Sequence, residues 1–285
     1  GVDPAEASVH TNRTLTEING NPSVSGPVTS SLDSAGSSNN FASNPGGTVM
    51  KKKPQKVPVI SARSIYRHAV ASDPTASNRW YDLCPNSEVR AWSSGGPCTG
   101  TVLNGGAPSF RGWTHDSGNH TWIATRNTED GIYFAHESNV DVGSGNGEFN
   151  NITVIASSQN PSSCNTKRYG NIVWDHFTMR APSYPNLFLL ADADIATGAN
   201  FTAGSGIAAP PVVSGMFVAG DQIQLETSSS GAVGSVLAGD QCSTSDLVDE
   251  NEVKNPTVYY DPKSDAPFTS IISTTLWLEY PGVKP

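Results

Sequence analysis

The residues best placed to do chemistry are acidic side chains that follow short apolar segments. Five such segments end in alanine, at Ala135, Ala156, Ala191, Ala219 and Ala238. If the segments stack, the aspartates behind them align on one face, and aligned carboxylates can hold Ca²⁺ or act as acid and base in polysaccharide cleavage. An aspartate at a turn can instead cap its own backbone, which the sequence favours. The candidate calcium ligands are Asp192, Asp194, Asp221 and Asp240.

Histidines beside carboxylates could supply a general base with an orienting acid. No serine lies in a Gly-x-Ser-x-Gly elbow, and the glycine-rich loop 143–147 lacks the Lys-Ser/Thr ending of a phosphate-binding loop. We therefore interpret the histidines as surface loop residues and predict no catalytic residue, no enzyme activity and no cofactor other than Ca²⁺. The histidine candidates are His115-Asp116, His120, His136-Glu137 and Asp175-His176.

Aromatic residues are concentrated between positions 80 and 122. Exposed tryptophans bind sugar rings or stack on bases, whereas buried ones fill a core. Trp92, Trp113 and Trp122 are the candidate ligand-binding residues. Core filling is the favoured alternative, because that segment has few other apolar residues.

The four cysteines Cys84, Cys98, Cys164 and Cys242 form no C-x-x-C pair, which disfavours a zinc site. We predict two disulfides in an oxidising compartment. The simplest pairing is Cys84–Cys98 and Cys164–Cys242, although the sequence leaves all three pairings open.

The composition and charge limit the classes of protein. Charged residues are 15% of the 285, while Gly (27) and Pro (20) are plentiful, which is typical of many short strands separated by turns. Residues 1–180 carry 14 basic and 14 acidic side chains, and residues 181–285 carry 3 basic and 12 acidic ones, which accounts for the net charge of −9. The acidic third disfavours DNA binding, despite the basic segment 51–56. No apolar run reaches the roughly 20 residues of a membrane span.

The alanine-ended segments lie 21, 35, 28 and 19 residues apart. Intervals near 20 match one turn of a β-solenoid, and longer ones match a turn with an inserted loop. We therefore predict an all-β, right-handed β-solenoid with a disulfide-tied irregular insertion. A β-sandwich is the alternative, because its strands show a similar pattern.

The predicted organisation has four parts. Residues 1–56 form a low-complexity N-terminal segment with one strand repeat, and residues 57–120 combine a helix, ending near Asp73-Pro74, with the disulfide-tied insertion. Residues 121–245 hold the solenoid repeats. Residues 246–285 supply capping strands, at 258–260 and 271–278.

The repeats resemble those of the type IV pilus assembly proteins of the PilX type, the large accessory pilins. The resemblance covers about residues 110–242. It rests on Gly112-Trp113, on the segments 120–123, 131–134, 139–142, 151–156 and 185–191, and on the run 215–223. The apolar N-terminal helix by which pilins anchor is absent from this sequence, so the resemblance depends on the repeats.

The resemblance implies a non-enzymatic minor or tip pilin, displayed extracellularly on the cell surface, that acts in adhesion, pilus assembly or DNA capture. The implied partners are other pilus subunits and a host-surface or glycan ligand. Three alternatives stay open at this point: a carbohydrate-active β-helix enzyme, an extracellular DNA receptor that uses Lys51 to Lys56, and a bare filament-forming protein.

Overall fold

The computed structural model describes residues 9–11, 16–17, 23–24, 28–30, 50–51, 61–125, 128–142, 147–149, 152–160, 169–174, 177–179, 187–197, 213–214, 216–226, 231–233, 236–239, 242, 247, 252–254 and 257–259. This part of the chain is mostly β, with one α-helix and one 3₁₀ turn. No helix within these ranges is long and apolar enough to cross a membrane.

The strands are short, as the composition predicts. In the first third of the chain they are β1 (Val9–Thr11), β2 (Thr16–Glu17), β3 (Ser23–Val24), β4 (Val28–Ser30), β5 (Met50–Lys51), β6 (Trp80–Leu83), β7 (Val89–Ala91), β8 (Ser109–Phe110) and β9 (Trp113–Asp116). They continue with β10 (Thr121–Ala124), β11 (Gly131–Ala135), β12 (Asn139–Val142), β13 (Gly147–Phe149), β14 (Ile152–Ala156), β15 (Ile172–Trp174), β16 (Phe177–Met179), β17 (Leu187–Ala191) and β18 (Ile195–Thr197). The last are β19 (Val213–Ser214), β20 (Met216–Ala219), β21 (Ile223–Glu226), β22 (Gly231–Val233), β23 (Val236–Ala238), β24 (Glu252–Lys254) and β25 (Thr257–Tyr259).

Two large mixed sheets dominate. The seven-stranded sheet has the order β23-β20-β17-β14-β11-β6-β7, and only its β6–β7 pairing is antiparallel. The nine-stranded sheet has the order β2-β24-β21-β18-β15-β12-β10-β9-β8, in which β10, β9 and β8 are antiparallel and every other pairing is parallel. Smaller parallel sheets join β13 to β16, β19-β22-β25-β3 in that order, and β1-β4-β5. Mainly parallel pairing disfavours the β-sandwich alternative, whose sheets are antiparallel.

The five alanine-ended segments are the strands β11, β14, β17, β20 and β23, as predicted. Their alanines pair in register from strand to strand, in the order Ala135, Ala156, Ala191, Ala219, Ala238. After each of these strands the chain enters the nine-stranded sheet, through β12, β15, β18, β21 and β24. Consecutive strands therefore belong to different sheets, and each sheet grows by one parallel strand for each sequence repeat.

The main core lies between the two large sheets. Tyr133, Val154 and Phe217 from the first sheet pack with Val140 and Trp174 from the second, and all five side chains are buried. Burying side chains of this size contributes about 1.5–3 kcal/mol each. Small alanine occupies the strand end, where the chain turns toward the second sheet.

The helix α1 (Ala62–Ser72) covers the other face of the seven-stranded sheet. Ser61 caps its N-terminus through the Arg63 amide, and Asp73, immediately before Pro74, is its C-terminal cap, so the helix ends where the sequence predicts. Ile65 and Tyr66 are buried there in a second apolar cluster. The sheet contributes Ile132, Phe134, Ile155, Leu187, Leu190 and Val218 to that cluster.

The segment 84–120 differs from the irregular insertion that the sequence predicts. The Cys84–Cys98 disulfide is present, so that predicted pair is confirmed. However, β7 extends the seven-stranded sheet, and β8 and β9 extend the nine-stranded one. The alternation of one or two apolar residues in such short strands is too weak a signal to separate them from loops. Cys242 is buried and disulfide-bonded, whereas Cys164, its predicted partner, lies outside the described residues.

The N-terminal strands stack on the C-terminal ones. β2 pairs with β24, and β3 pairs with β25, in both cases parallel. The repeat predicted near residues 18–28 therefore falls on strands β3 and β4, and the strand predicted at 258–260 overlaps β25. The strand predicted at 271–278 lies outside the described residues.

Candidate functional site

The predicted acidic turns follow the alanine column, and their backbones form a continuous ladder. The amide of the residue after each alanine donates to the alanine carbonyl of the neighbouring strand. The bonds are Ser157 N to Ala135 O (2.9 Å), Asp192 N to Ala156 O (2.9 Å), Gly220 N to Ala191 O (2.8 Å) and Gly239 N to Ala219 O (2.9 Å). The backbones of these turns therefore stack in register, as the strands do.

Three of the four predicted calcium ligands are buried in these turns and accept hydrogen bonds from backbone amides. Asp192 Oδ1 accepts from Ala62 N at 2.6 Å, and its Oδ2 accepts from Ser158 N at 2.9 Å. Asp194 Oδ1 accepts from Gln222 N at 3.1 Å, and Asp221 Oδ1 accepts from Cys242 N at 2.9 Å. Within the described ranges, no group of three or more His, Cys, Asp or Glu side chains could hold a metal ion. The geometry supports backbone capping, and Asp240 lies outside the described residues.

A second polar column, which the sequence interpretation missed, lies where the strands of the nine-stranded sheet begin. Asn139 Oδ1 accepts from the backbone amide of Asn171 at 3.2 Å, and Asn171 Oδ1 accepts from Asp194 N at 3.0 Å. Asp194 continues the column to Gln222. The available signal was an amide or acid directly before a β-branched residue, which recurs as Asn139-Val140, Asn171-Ile172, Asp194-Ile195 and Gln222-Ile223.

His136 and Glu137 form the arrangement that most resembles a catalytic one. His136 Nδ1 lies 3.4 Å from Ser157 Oγ, and its Nε2 lies 3.5 Å from Glu137 Oε1. Glu137 also accepts from the guanidinium of Arg63 and from Gln159 Nε2 at 3.0 Å. Burial is the main cause that lowers the pKa of His136, against the opposing effect of Glu137.

This cluster lacks an accessible nucleophile. Ser157 is fully buried, and its hydroxyl already accepts from the Glu137 amide at 3.1 Å. Through Arg63, the cluster connects the first turn of α1 to the turns that follow β11 and β14.

The two other histidine candidates in the described part of the chain, His115 and His120, contact groups other than a carboxylate. His115 Nδ1 lies 2.7 Å from Ser87 Oγ, and its ring packs on Trp122 with centroids 4.8 Å apart. The neighbouring Asp116 instead accepts from the Gly118 amide at 2.9 Å, within its own hairpin turn. His120 packs against the ring of Tyr169, and Asp175-His176 lies outside the described residues.

The three tryptophans proposed to bind ligand occupy different environments. Trp113 and Trp122 are buried in the main core and leave no ring face for a sugar, so the core-filling interpretation holds for both. Trp92 is half-buried, stacks on Tyr66 with centroids 6.0 Å apart, and donates from Nε1 to the Tyr66 carbonyl at 3.2 Å. Of the three, Trp92 alone keeps partial exposure.

A buried carboxylate that the sequence gave no reason to single out lies on β6. Asp82 has no exposed surface and accepts from Tyr66 Oη (2.7 Å), the Cys98 amide (2.9 Å) and Trp80 Nε1 (3.1 Å). Burial raises its pKa to about 6, although these hydrogen bonds act in the opposite direction.

Comparisons of the chain with protein-family models, with curated proteins and with solved structures give no match.

Proposed function

We propose that this chain is a non-enzymatic cell-surface protein built as a right-handed β-solenoid, acting as a minor or tip subunit of a type IV pilus in adhesion or pilus assembly. The observation that carries the proposal is the in-register column of alanines, in which each sequence repeat adds one parallel strand to each large sheet. Crossover connections between parallel strands of one sheet are nearly always right-handed, which supports the handedness.

The polar groups of the turns support a scaffold rather than an enzyme. Asp192, Asp194 and Asp221 are buried and bound to backbone amides of neighbouring turns. A general acid or base must reach its substrate within hydrogen-bonding distance, and burial prevents this. The same hydrogen bonds fix the spacing of the repeats, which is what a surface scaffold requires.

The ends of the sheets support a discrete subunit rather than a filament of identical chains. At one end the antiparallel strands β8, β9 and β10 turn the nine-stranded sheet back on itself. At the other end the terminal strand is β2, which pairs with β24 and has only two residues. Very short edge strands offer little backbone for pairing with another chain, which opposes end-to-end association.

The external location is supported by the disulfide between Cys84 and Cys98, because such bonds persist in oxidising compartments. The acidic C-terminal third disfavours the DNA-receptor alternative. The partners proposed are other pilus subunits and a host-surface or glycan ligand, with Trp92 as the candidate contact.

The proposal is tested in the source cells with a tagged chromosomal copy of the gene. We expect the protein to be released with pili by mechanical shearing, and we expect deletion of the gene to reduce piliation or adherence. A protein found free in the medium, together with unchanged piliation and adherence in the deletion strain, would contradict the proposal. Turnover of a polysaccharide that is lost in Asp221→Ala would replace it with the enzyme alternative.

The glycan contact has its own test on the purified chain. Trp92→Ala should weaken glycan or cell-surface binding, while Leu103→Ser, an exposed apolar residue of the same segment, should leave it unchanged. Equal effects of both variants would reject Trp92 as the contact.

A further inference from the structure

Asp82 occupies an unusual place on the outer face of the seven-stranded sheet. In register it lies beside Phe134, in a row that continues through Ile155, Leu190 and Val218. Those four neighbours are apolar and buried beneath α1. The row passes from these apolar residues to the Asp82 carboxylate, which α1 and the loop 93–98 cover, and then to Arg90 of β7.

The carboxylate joins three parts of the chain. Tyr66 of α1 and the Cys98 amide of the loop both donate to Oδ2, and Trp80 of β6 donates to Oδ1. The loop is also held by Tyr66 itself, because Tyr66 Oη accepts from the Ser93 amide at 3.0 Å. Tyr66 Oη and Asp82 are therefore the centre of the attachment between helix and loop.

The Tyr66 hydroxyl has a second acceptor within reach. The carbonyl oxygen of Gly96 lies 3.5 Å from Tyr66 Oη, on the loop. While Asp82 is ionised, the hydroxyl hydrogen is directed to Oδ2. If Asp82 carries a proton, its own O–H can donate to Tyr66 Oη, and the tyrosine hydroxyl is then free to donate to Gly96.

Arg90 of β7 lies opposite Asp82 in register, but its guanidinium donates to Glu88 Oε2 and to the Gly100 carbonyl. The groups that donate to Asp82 are the Tyr66 hydroxyl, the Trp80 indole N–H and the Cys98 amide. Within the described part of the chain, neither an ion pair nor a hydrogen bond connects Asp82 to Lys, Arg or His. Cys84 and Cys98 are joined as a disulfide and do not titrate. Burial also raises the pKa of Tyr66, so its hydroxyl stays protonated.

We propose that Asp82, Tyr66 and the loop 93–98 form a proton-operated latch, in which a proton on Asp82 closes the loop onto α1 and its loss loosens the loop. The Cys84–Cys98 bond keeps the loop tethered when it opens. Trp92 stacks on Tyr66 beside the loop, so opening also releases the half-buried indole. The latch does not depend on the proposed function.

Proton linkage determines whether the loop opens at high or at low pH. In the closed state the pKa of Asp82 is raised to about 6, whereas in an open state with the carboxyl in water it returns toward its ordinary value. The closed state therefore binds the proton more tightly, and its extra stability is fully present at low pH and lost as the pH rises through 6. Between pH 7 and 4.5 the opening equilibrium constant of the loop should fall by roughly 20-fold.

The test combines a site-specific titration with hydrogen exchange on the full chain. The Asp82 carboxyl carbon is followed by NMR, and exchange of the Ser93 and Cys98 amides is measured from pH 4.5 to 7.5 and corrected for intrinsic rates. We expect a titration near pH 6 and a loss of protection over the same interval. An Asp82 carboxyl that titrates near pH 4, or protection that does not change with pH, would overturn the latch.

Two variants separate the latch from a general change in stability. Asp82→Asn cannot titrate, so it should abolish the pH dependence at both amides even if it lowers their protection overall. Tyr66→Phe keeps the carboxyl but removes the hydroxyl, so the Asp82 titration should remain while the Ser93 amide loses its acceptor and its pH response. The same pH dependence in Asp82→Asn as in the wild-type protein would refute the proposal.

Discussion

At the scale of single residues, buried carboxylates have two different roles in this protein. Asp192 accepts two backbone amides, from Ala62 and Ser158, and joins the start of α1 to the turn after β14. Its position near the first turn of a helix also suits a negative charge. Asp82 accepts mainly from side chains that can rearrange, which is why it is the better candidate for a change with pH.

The capping role of Asp192 predicts a large loss of stability on truncation. Asp192→Ala leaves two buried amides without their acceptor, so it should lower the free energy of unfolding by about 2–4 kcal/mol. Asp116→Ala is the matched control, because Asp116 also accepts turn amides, from Gly118 and Asn119, but is only partly buried. We expect that control to lower stability much less than Asp192→Ala in chemical denaturation.

The same pair of variants tests the calcium hypothesis. If Asp192 is a backbone cap, adding Ca²⁺ or a chelator should leave the melting temperature of the wild-type protein unchanged. An increase in melting temperature with Ca²⁺ that disappears in Asp192→Ala, but persists in Asp116→Ala, would instead favour a calcium site.

The sequence predicted where these aspartates lie only where a local pattern determines the structure. The sequences Ala-Asp and Ala-Gly-Asp after an apolar strand predicted that Asp192 and Asp221 lie at turns, because turn chemistry is local. The sequence could not predict that Asp82, in the segment Trp80–Leu83, would be covered by a helix and a loop. That burial depends on contacts across the chain, including Tyr66 and Cys98.

At the scale of elements, the stacked turns constrain residue size. Gly220 follows the alanine of β20, and a Cβ at this position would fall against the carbonyl oxygen and carbon of Asp192 in the neighbouring turn. Because that obstacle is backbone within a hydrogen-bonded ladder, it cannot rotate away as a side chain would.

Gly220→Ala should therefore separate two stacked turns and lower the free energy of unfolding by about 2–4 kcal/mol. Gly118→Ala provides the control, since a Cβ there meets only the Asp116 Oδ1 atom at 3.3 Å, on a hairpin turn. Thermal denaturation of both variants distinguishes the outcomes. Equal melting temperatures would show that the turns are not as tightly stacked as described.

The sequence predicted some of the strands and the helix, and it missed other strands. The alanine-ended strands were found because apolar residues, alanine and a polar turn recur together, and α1 was found from helical spacing that ends at Asp73-Pro74. Strands β7, β8 and β9 were missed because each has only two to four residues, too few for an alternating pattern. The packing of α1 on Phe134 and Leu190 follows from tertiary contacts that no local pattern contains.

At the scale of the whole molecule, the order of the strands in the sequence differs from their order in the sheets. Strands β2 and β3 belong to the first 24 residues but complete the ends of the sheets formed by β24 and β25. The sequence does not predict that the N-terminal strands pair with the last ones, because β2 and β3 have only two residues each.

The N-terminal strands β2 and β3 should prevent β24 and β25 from pairing with another copy of the chain. Removing residues 1–25 deletes β1, β2 and β3, which leaves the amides and carbonyls on the outer edges of β24 and β25 without their parallel neighbours. Unpaired strand edges are templates for association, so the truncated chain should form dimers or larger species in a concentration-dependent way. Size-exclusion chromatography with light scattering measures this association, and removal of residues 1–8, which precede β1, is the control.

If the chain lacking residues 1–25 stays monomeric with an unchanged melting temperature, the N-terminal strands neither protect the sheet edges nor contribute to stability. If it associates while the control does not, the stacking of the first strands on the last is what keeps each copy separate.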